Sequence, residues 1–238
     1  MRYHKILILG RSGSGKTAGL RNLNPETTGI INADKQELLF HQEKYQTVFD
    51  AANKPDLEKS NYVETGKPAS VITTLKIWNE REDLDTVVLD TITHLITEYY
   101  ITEALGKEYG GYKELGTSFW NILNFVRSMK KNVIIFGHIN TKFNDEGMKE
   151  ITLKSHGKMI DAFESESYFN VLLMAEVVKK DGSLAWIFRT KPKEVVEKLK
   201  SPVRFLEDGT IERALEDDEP NDVALILQKL NTFYTNKS

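Results

Sequence analysis

The chain has no cysteine, which removes disulfides, thiolate metal sites and cysteine nucleophiles together. Its five histidines are scattered without metal-ligand spacing, so structural zinc is excluded as well. Long apolar runs are also missing. Met1–Lys5 lead directly into Ile6–Leu9 without a signal-peptide pattern, and no later segment is long enough to span a bilayer. A cytoplasmic protein without membrane partners is expected. Neither sign of charge dominates: the formal net charge is −3, which gives no global nucleic-acid signature. With 6 prolines, 15 glycines and 40% hydrophobic residues, neither a disordered nor a fibrous class is supported.

What is present is a chain of 238 residues, enough for one α/β domain with a substantial core. Ile6–Leu9 reads as a strand, followed by a glycine-rich turn and a helix over Lys16–Asn22. Gly29–Asn32 and Thr86–Leu89 read as further strands, the latter β-branched and suited to a buried parallel position. Helices are predicted over Ser70–Glu80, Thr93–Leu105 and Lys113–Met129, with Gly106–Gly111 as a turn region. A strand over Asn132–Phe136, a polar loop over Phe143–Gly147 and a short helix over Lys158–Phe163 come next. Strands Phe169–Val178 and Leu184–Thr190 then form a hairpin, and a helix over Asp222–Leu230 ends the pattern. Residues 44–68, broken by Pro55, Gly66 and Pro68, read as a loop-rich excursion. The expected fold is therefore a mostly parallel sheet flanked by helices, with a C-terminal antiparallel extension. A core over residues 1–195 and a C-terminal acidic segment and helix over 196–238 are the expected divisions.

Gly10-Arg11-Ser12-Gly13-Ser14-Gly15-Lys16-Thr17 has the Walker A spacing, between a strand and a helix. Glycines let the backbone fold back so that its N–H groups face phosphate oxygens, and the helix N-terminus adds its positive dipole end. The predicted cradle is Gly10 to Ala18, with Lys16 reaching the β- and γ-phosphates and the Thr17 hydroxyl on Mg²⁺. Such a loop also needs a carboxylate at a neighbouring strand end to hold the metal shell, and Thr86-Val87-Val88-Leu89-Asp90 supplies one in Asp90. Thr91 follows it where an Asp-Glu pair would place the water-activating base, so the base must come from elsewhere. Asp34 and Glu37, just past the second strand, are the candidates if that strand lies beside the first.

Other phosphate-loop classes fit less well. Asn53-Lys54-Pro55-Asp56 matches the guanine-reading tetrapeptide of GTPases, but it precedes the metal carboxylate instead of following it. Partition-type ATPases carry a lysine where this loop has Arg11, and an arginine-rich kinase lid is not evident after Asp90.

The phosphate loop, the strand Val87-Val88-Leu89-Asp90-Thr91 and the later strand Val133-Ile134-Ile135-Phe136-Gly137-His138 together resemble the RecA-like ATPases. Their order is most similar to the short phage-encoded recombination ATPases that assist single-strand annealing or strand exchange. The resemblance covers about Ile6–Lys193. It implies that His138 senses the γ-phosphate and begins a DNA-contacting loop over Asn140–His156, where Lys142, Lys149, Lys154 and Phe143 suit phosphate contact and base stacking and Asp145, Glu146 and Glu150 oppose it. It also implies an oligomer in which Arg189 and Lys191, at the end of the hairpin, reach a neighbour's nucleotide. The acidic residues between Glu207 and Asp222 are similar to recombinase tails that screen a DNA site, whereas composition alone makes them a solvated tail.

The expected activity is Mg²⁺-dependent ATP hydrolysis by a homo-oligomer on single-stranded DNA, with a single-strand DNA-binding protein as a further partner and the host cytoplasm as location if phage-encoded. A nucleotide or small-molecule kinase and an ATP-switched assembly protein are the alternatives.

Overall fold

In the computed structural model the described residues are 2–38, 40–143, 149–155, 165–193 and 198–235. Six strands run parallel. They are β1 (Lys5–Gly10), β2 (Thr28–Asn32), β3 (Tyr62–Glu64), β4 (Thr86–Asp90), β5 (Asn132–Gly137) and β8 (Val171–Lys180), in the spatial order β8-β1-β5-β4-β2-β3. Strand β9 (Ser183–Arg189) pairs antiparallel with β8, and β12 (Asp218–Pro220) antiparallel with β9, extending one edge to give eight strands. The antiparallel extension expected from the sequence is present. Its turn is Asp181-Gly182, both at positive φ (50° and 83°), as a two-residue hairpin linker requires.

Helices α1 (Pro68–Glu80), α2 (Ile92–Tyr99) and α3 (Glu108–Ser128) pack with Leu7, Leu9, Val87, Leu89, Val133 and Ile135 on one sheet face. Helix α4 (Val223–Thr235) packs with Ile6, Ile8, Ile134, Phe136 and Phe188 on the other. Every residue of β1 and β4 is buried, which is why both read as continuous apolar runs instead of alternating ones. Below the sheet, two buried lysines meet helix ends. Lys5 Nζ donates to the carbonyls of Met129 and Lys131 just past α3, and Lys131 Nζ to those of Arg81 and Leu84 just past α1. A cation at a helix C-terminus complements its dipole and supplies the carbonyls that the last turn leaves unpaired.

Three expectations change. The helix predicted over Lys16–Asn22 is a single 3₁₀ turn, Thr17–Leu20, because Gly19, Asn22 and Asn24 favour helix poorly and Pro25 cannot continue one. The turn expected over Gly106–Gly111 is partly helical, since α3 begins at Glu108. There Gly111 is needed for packing: a Cβ on it would lie 2.4 Å from the carbonyl oxygen of Ala104. The loop expected over Asn140–His156 carries a hairpin, β6 (Ile139–Phe143) with β7 (Lys149–Leu153), while the polar loop expected over Phe143–Gly147 lies, past Phe143, outside the described residues. The helix predicted over 158–163 lies outside the described residues.

The C-terminal acidic run is tied to the fold through part of its carboxylates, while Glu207, Asp208, Glu216, Asp217 and Asp218 stay exposed. Glu219 is buried in β12, and its carboxylate accepts from Lys229 Nζ at 2.7 and 2.9 Å and from the Glu216 amide at 2.7 Å. Asp217 pairs with Lys191, Glu212 with Arg204, and Asp222 accepts from the Leu225 amide of α4's first turn. Strand β10 (Val203–Phe205) and strand β11 (Ile211–Arg213) form a small separate hairpin before this segment joins the main sheet.

Candidate functional site

The C-terminal ends of β1, β4, β2 and β5 converge on one cleft, where open parallel sheets carry their ligands. Gly10 ends β1, Asp90 ends β4, Ala33 and Asp34 follow β2, and His138 follows β5. Strand β2 does not lie beside β1; β5 and β4 stand between them. Asp34 still reaches the cleft, because its amide and that of Ala33 donate to the Asp90 carbonyl at 3.1 and 2.6 Å.

In the phosphate loop Gly13 and Gly15 have φ of +75° and +86°, a region open to glycine at little cost. The 3₁₀ turn starts at Thr17, and its Gly19 amide donates back to the Gly15 and Lys16 carbonyls at 3.0 and 3.1 Å. Lys16 is buried and its Nζ donates to the carbonyls of Gly10 (3.0 Å) and Arg11 (2.8 Å). Thr17 Oγ1 donates to Asp90 Oδ2 at 2.6 Å. Asp90 is 4% exposed, and burial pushes its carboxyl up to about 6, opposed by the Thr17 bond and by Lys16 and reinforced by Asp34. Burial likewise lowers Lys16, against the pull of Asp90 and Asp34.

Beside them stands a cluster the sequence reading did not assemble. Asp34 Oδ1 lies 3.0 Å from His94 Nδ1. Thr91, the N-cap of α2, accepts from the His94 amide and lies 3.2 Å from the same ring nitrogen. The rings of His94 and His138 meet edge to face with centroids 5.5 Å apart. The His138 amide donates to Thr93 Oγ1 at 2.9 Å, and burial, then Lys16 and His94, lower its imidazole pKa. His94 was missed because nothing in its own neighbourhood marks it. The available signal was positional: a helix capped by the residue after Asp90 turns its first-turn side chains toward the same cleft.

Asp90 Oδ1 and Ser14 Oγ, at the end of β4 and in the phosphate loop, are among the buried polar atoms without a hydrogen-bond partner in the described residues. Buried polar groups are normally satisfied, so both suit a ligand at this place. The donor set fits Mg²⁺, which takes one or two protein oxygens and completes its shell with water and phosphate. Accordingly, no group of three or more His, Asp or Glu residues among those described could hold a metal unaided. Glu37 is exposed and lines the outer wall of a cavity of about 180 Å³ together with Thr17, Asp34 and Asp90. Arg11, Ser12 and Gly13 are exposed and line a second cavity beside β8; Ala18 is exposed on the 3₁₀ turn.

Arg189 lines the cavity beside β8 together with Arg11, Ser12 and Gly13, and the charges of Arg189 and Lys191 are met inside the chain. Arg189 is 3% exposed and donates to both carboxylate oxygens of Glu176, at 2.9 and 3.2 Å, and to the Lys191 carbonyl at 2.6 Å. Lys191 pairs with Asp217. The guanine-like tetrapeptide shapes a turn, in which Asp50 Oδ1 accepts from the amides of Ala52 and Lys54 and Asn53 has φ of +57°.

Many solved structures are similar to the chain, among them two from archaea. One is a KaiC-like protein from the hyperthermophilic archaeon Pyrococcus horikoshii OT3, 13% identical with a TM-score of 0.43 and covering 88% of each chain. The other is the flagellar accessory protein FlaH from Methanocaldococcus jannaschii, 12% identical with a TM-score of 0.46 and covering 90% of each. No curated protein sequence matches. Residues 2–202 match the family model described as an AAA domain. That span takes in every strand from β1 to β9, the phosphate loop and Asp90, and the chain belongs to this AAA domain family of P-loop ATPases.

Proposed function

We propose that this protein is an ATP-driven DNA-recombination or repair ATPase that assembles on single-stranded DNA. Lys16 and the loop amides of Gly10–Ala18 hold the triphosphate, and Thr17 with Asp90 holds Mg²⁺. When bound, the metal neutralises charge on the phosphates and on the leaving oxygen. Asp34, fixed by His94 at 3.0 Å, positions the attacking water and accepts its proton.

The DNA half of this reading rests on how β6–β7 is rooted. His138 meets His94 edge to face, and its carbonyl accepts from the Lys154 amide at 2.7 Å, closing the base of the hairpin. The hairpin carries Phe143, 74% exposed, and an exposed aromatic beside cations is what sequence-tolerant single-strand binding uses. The side chains of Lys142 and Lys149 and residues 144–148 lie outside the described set. Arg189 and Lys191 act across a subunit interface in this reading only by exchanging Glu176 and Asp217 for a neighbour's phosphates. A single-strand DNA-binding protein is a further partner in this reading.

The test is the ATPase rate with and without single-stranded DNA, with Lys16→Ala as control and native mass analysis of the assembly. Stimulation by DNA and an ATP-dependent oligomer are expected. A strict monomer whose turnover ignores DNA overturns the reading, and phosphate transfer to an added nucleotide or small molecule replaces it with a kinase.

A further inference from the structure

Asp90, assigned to the metal, and Asp34 lie on the β5, β4 and β2 side of β1, whereas Arg11 to Ser14 of the loop line a cavity with β8. On the other side stand β8, β9 and the start of α4. If the γ end of a nucleotide is fixed beside Asp90, its nucleoside leaves the loop away from Asp90. What stands at that exit is Trp186.

Trp186 lies on β9, two strand spacings or about 10 Å across the sheet from β1, opposite Val177 of β8. Since Gly10 is level with Ala175, Trp186 sits two residues beyond the end of β1, at the height of the loop. Its indole rests against the loop: a methyl group built on Gly15 would come within 2.7 Å of Trp186 Cδ1 and 3.2 Å of Asn221 Nδ2. The ring is nevertheless 49% exposed. Asn221 follows β12 and is clamped to the 3₁₀ turn, because Arg21 Nη1 donates to its carbonyl at 2.6 Å. Its side chain is 6% exposed and its Nδ2 has no hydrogen-bond partner among the described residues. A half-exposed indole and a buried amide donor without an acceptor therefore share one edge of the phosphate cradle. A structural tryptophan at a sheet edge accounts for the first of these and leaves the second unexplained.

We infer that Trp186 is the stacking platform for the nucleotide base and that Asn221 Nδ2 donates to an acceptor on the nucleoside. This rests on the assignment of Gly10–Thr17 as the triphosphate site. Aromatic rings stack on any base, so the platform sets affinity more than base identity. The amide supplies the polar contact that orients the nucleoside.

The experiment compares ATP, ADP and inorganic tripolyphosphate as ligands of the full chain, measured by calorimetry in wild type, Trp186→Ala, Trp186→Phe and Asn221→Ala. Stacking of about 1–3 kcal/mol per base corresponds to a loss of roughly five- to 150-fold in ATP and ADP affinity for Trp186→Ala. Trp186→Phe should restore most of it, and Asn221→Ala should lose about tenfold. Tripolyphosphate, which has no base, should bind all four equally. In a Trp120→Phe background, where buried Trp78 is the other emitter, ATP but not tripolyphosphate should quench part of the indole emission, and that quenching should vanish when Trp186→Phe is added. Unchanged ATP affinity in Trp186→Ala, or equal losses for ATP and tripolyphosphate, overturns the inference. Failure of wild type to bind tripolyphosphate overturns the loop assignment instead. A variant that fails to fold is recognised by its circular dichroism, and Trp186→Phe and the quenching measurement then decide.

Discussion

Asp90→Asn is expected to stabilise the nucleotide-free protein. The wild-type carboxyl is buried with one oxygen unpartnered, and its pKa is raised from 3.8 to about 6. Between these two values the folded state binds the proton more tightly than the unfolded chain does, so stability from this group is greatest in acid and falls as pH rises through that window. At about 1.4 kcal/mol per tenfold, the cost is roughly 1 kcal/mol at pH 4.5 and reaches about 3 kcal/mol by pH 7.5. Asparagine keeps a carbonyl for the Thr17 hydroxyl and carries no charge, so it escapes that cost. Urea unfolding of both proteins across pH 4.5 to 7.5, followed by circular dichroism, should show the variant gaining on the wild type as pH rises. Adding Mg²⁺ and ATP should reverse the order: ligand at a hundred times Kd adds about 2.7 kcal/mol to the protein that binds it, and the variant has lost its metal carboxylate. A variant less stable than wild type at pH 7.5, or an offset independent of pH, would refute this account of Asp90.

Three further outcomes are expected. Asp34→Asn and His94→Ala should each lower kcat about a hundredfold in single-turnover ATP hydrolysis, with a smaller effect on ATP affinity, since neither touches the phosphate loop. Glu219→Ala strands Lys229 and the Glu216 amide and should cost roughly 3 kcal/mol in urea unfolding, the low end for a broken buried pair because Lys229 is a third exposed; exposed Asp218→Ala, next to it, should stay within about 0.5 kcal/mol. Phe143→Ala should weaken single-stranded DNA binding about tenfold, read by fluorescence anisotropy of a labelled oligonucleotide.

The phosphate loop and Asp90 were legible because their chemistry fixes residue types at fixed spacing, and β4 and β5 because burial on both faces writes itself as unbroken apolar runs. Asp34 was legible as a candidate although the strand order that motivated it was wrong. What brings it to the cleft is the pairing of its amide with the Asp90 carbonyl, which no spacing reveals. His94 and Trp186 were not legible, since each gains its meaning from a partner far away in sequence. The acidic run misled for the same reason. Eight carboxylates in a short span all look solvated, yet Glu219, Asp217 and Glu212 pair with Lys229, Lys191 and Arg204.

If the proposed function holds, the hairpin β6–β7 would act as a lever with a short arm and a long one. Its fulcrum is the bond between the His138 carbonyl and the Lys154 amide, with the His94 contact on the near side. Five residues of β6 reach outward on the far side, about 17 Å at the usual rise of a strand. A rotation of about 10° at His138, smaller than ordinary variation in a strand's dihedrals, would sweep Phe143 through about 3 Å. Displacements too small to disturb the sheet are thus magnified to the scale of one stacked base. The stiffness of the two-stranded arm, more than the size of the movement at the nucleotide, decides how much of it arrives.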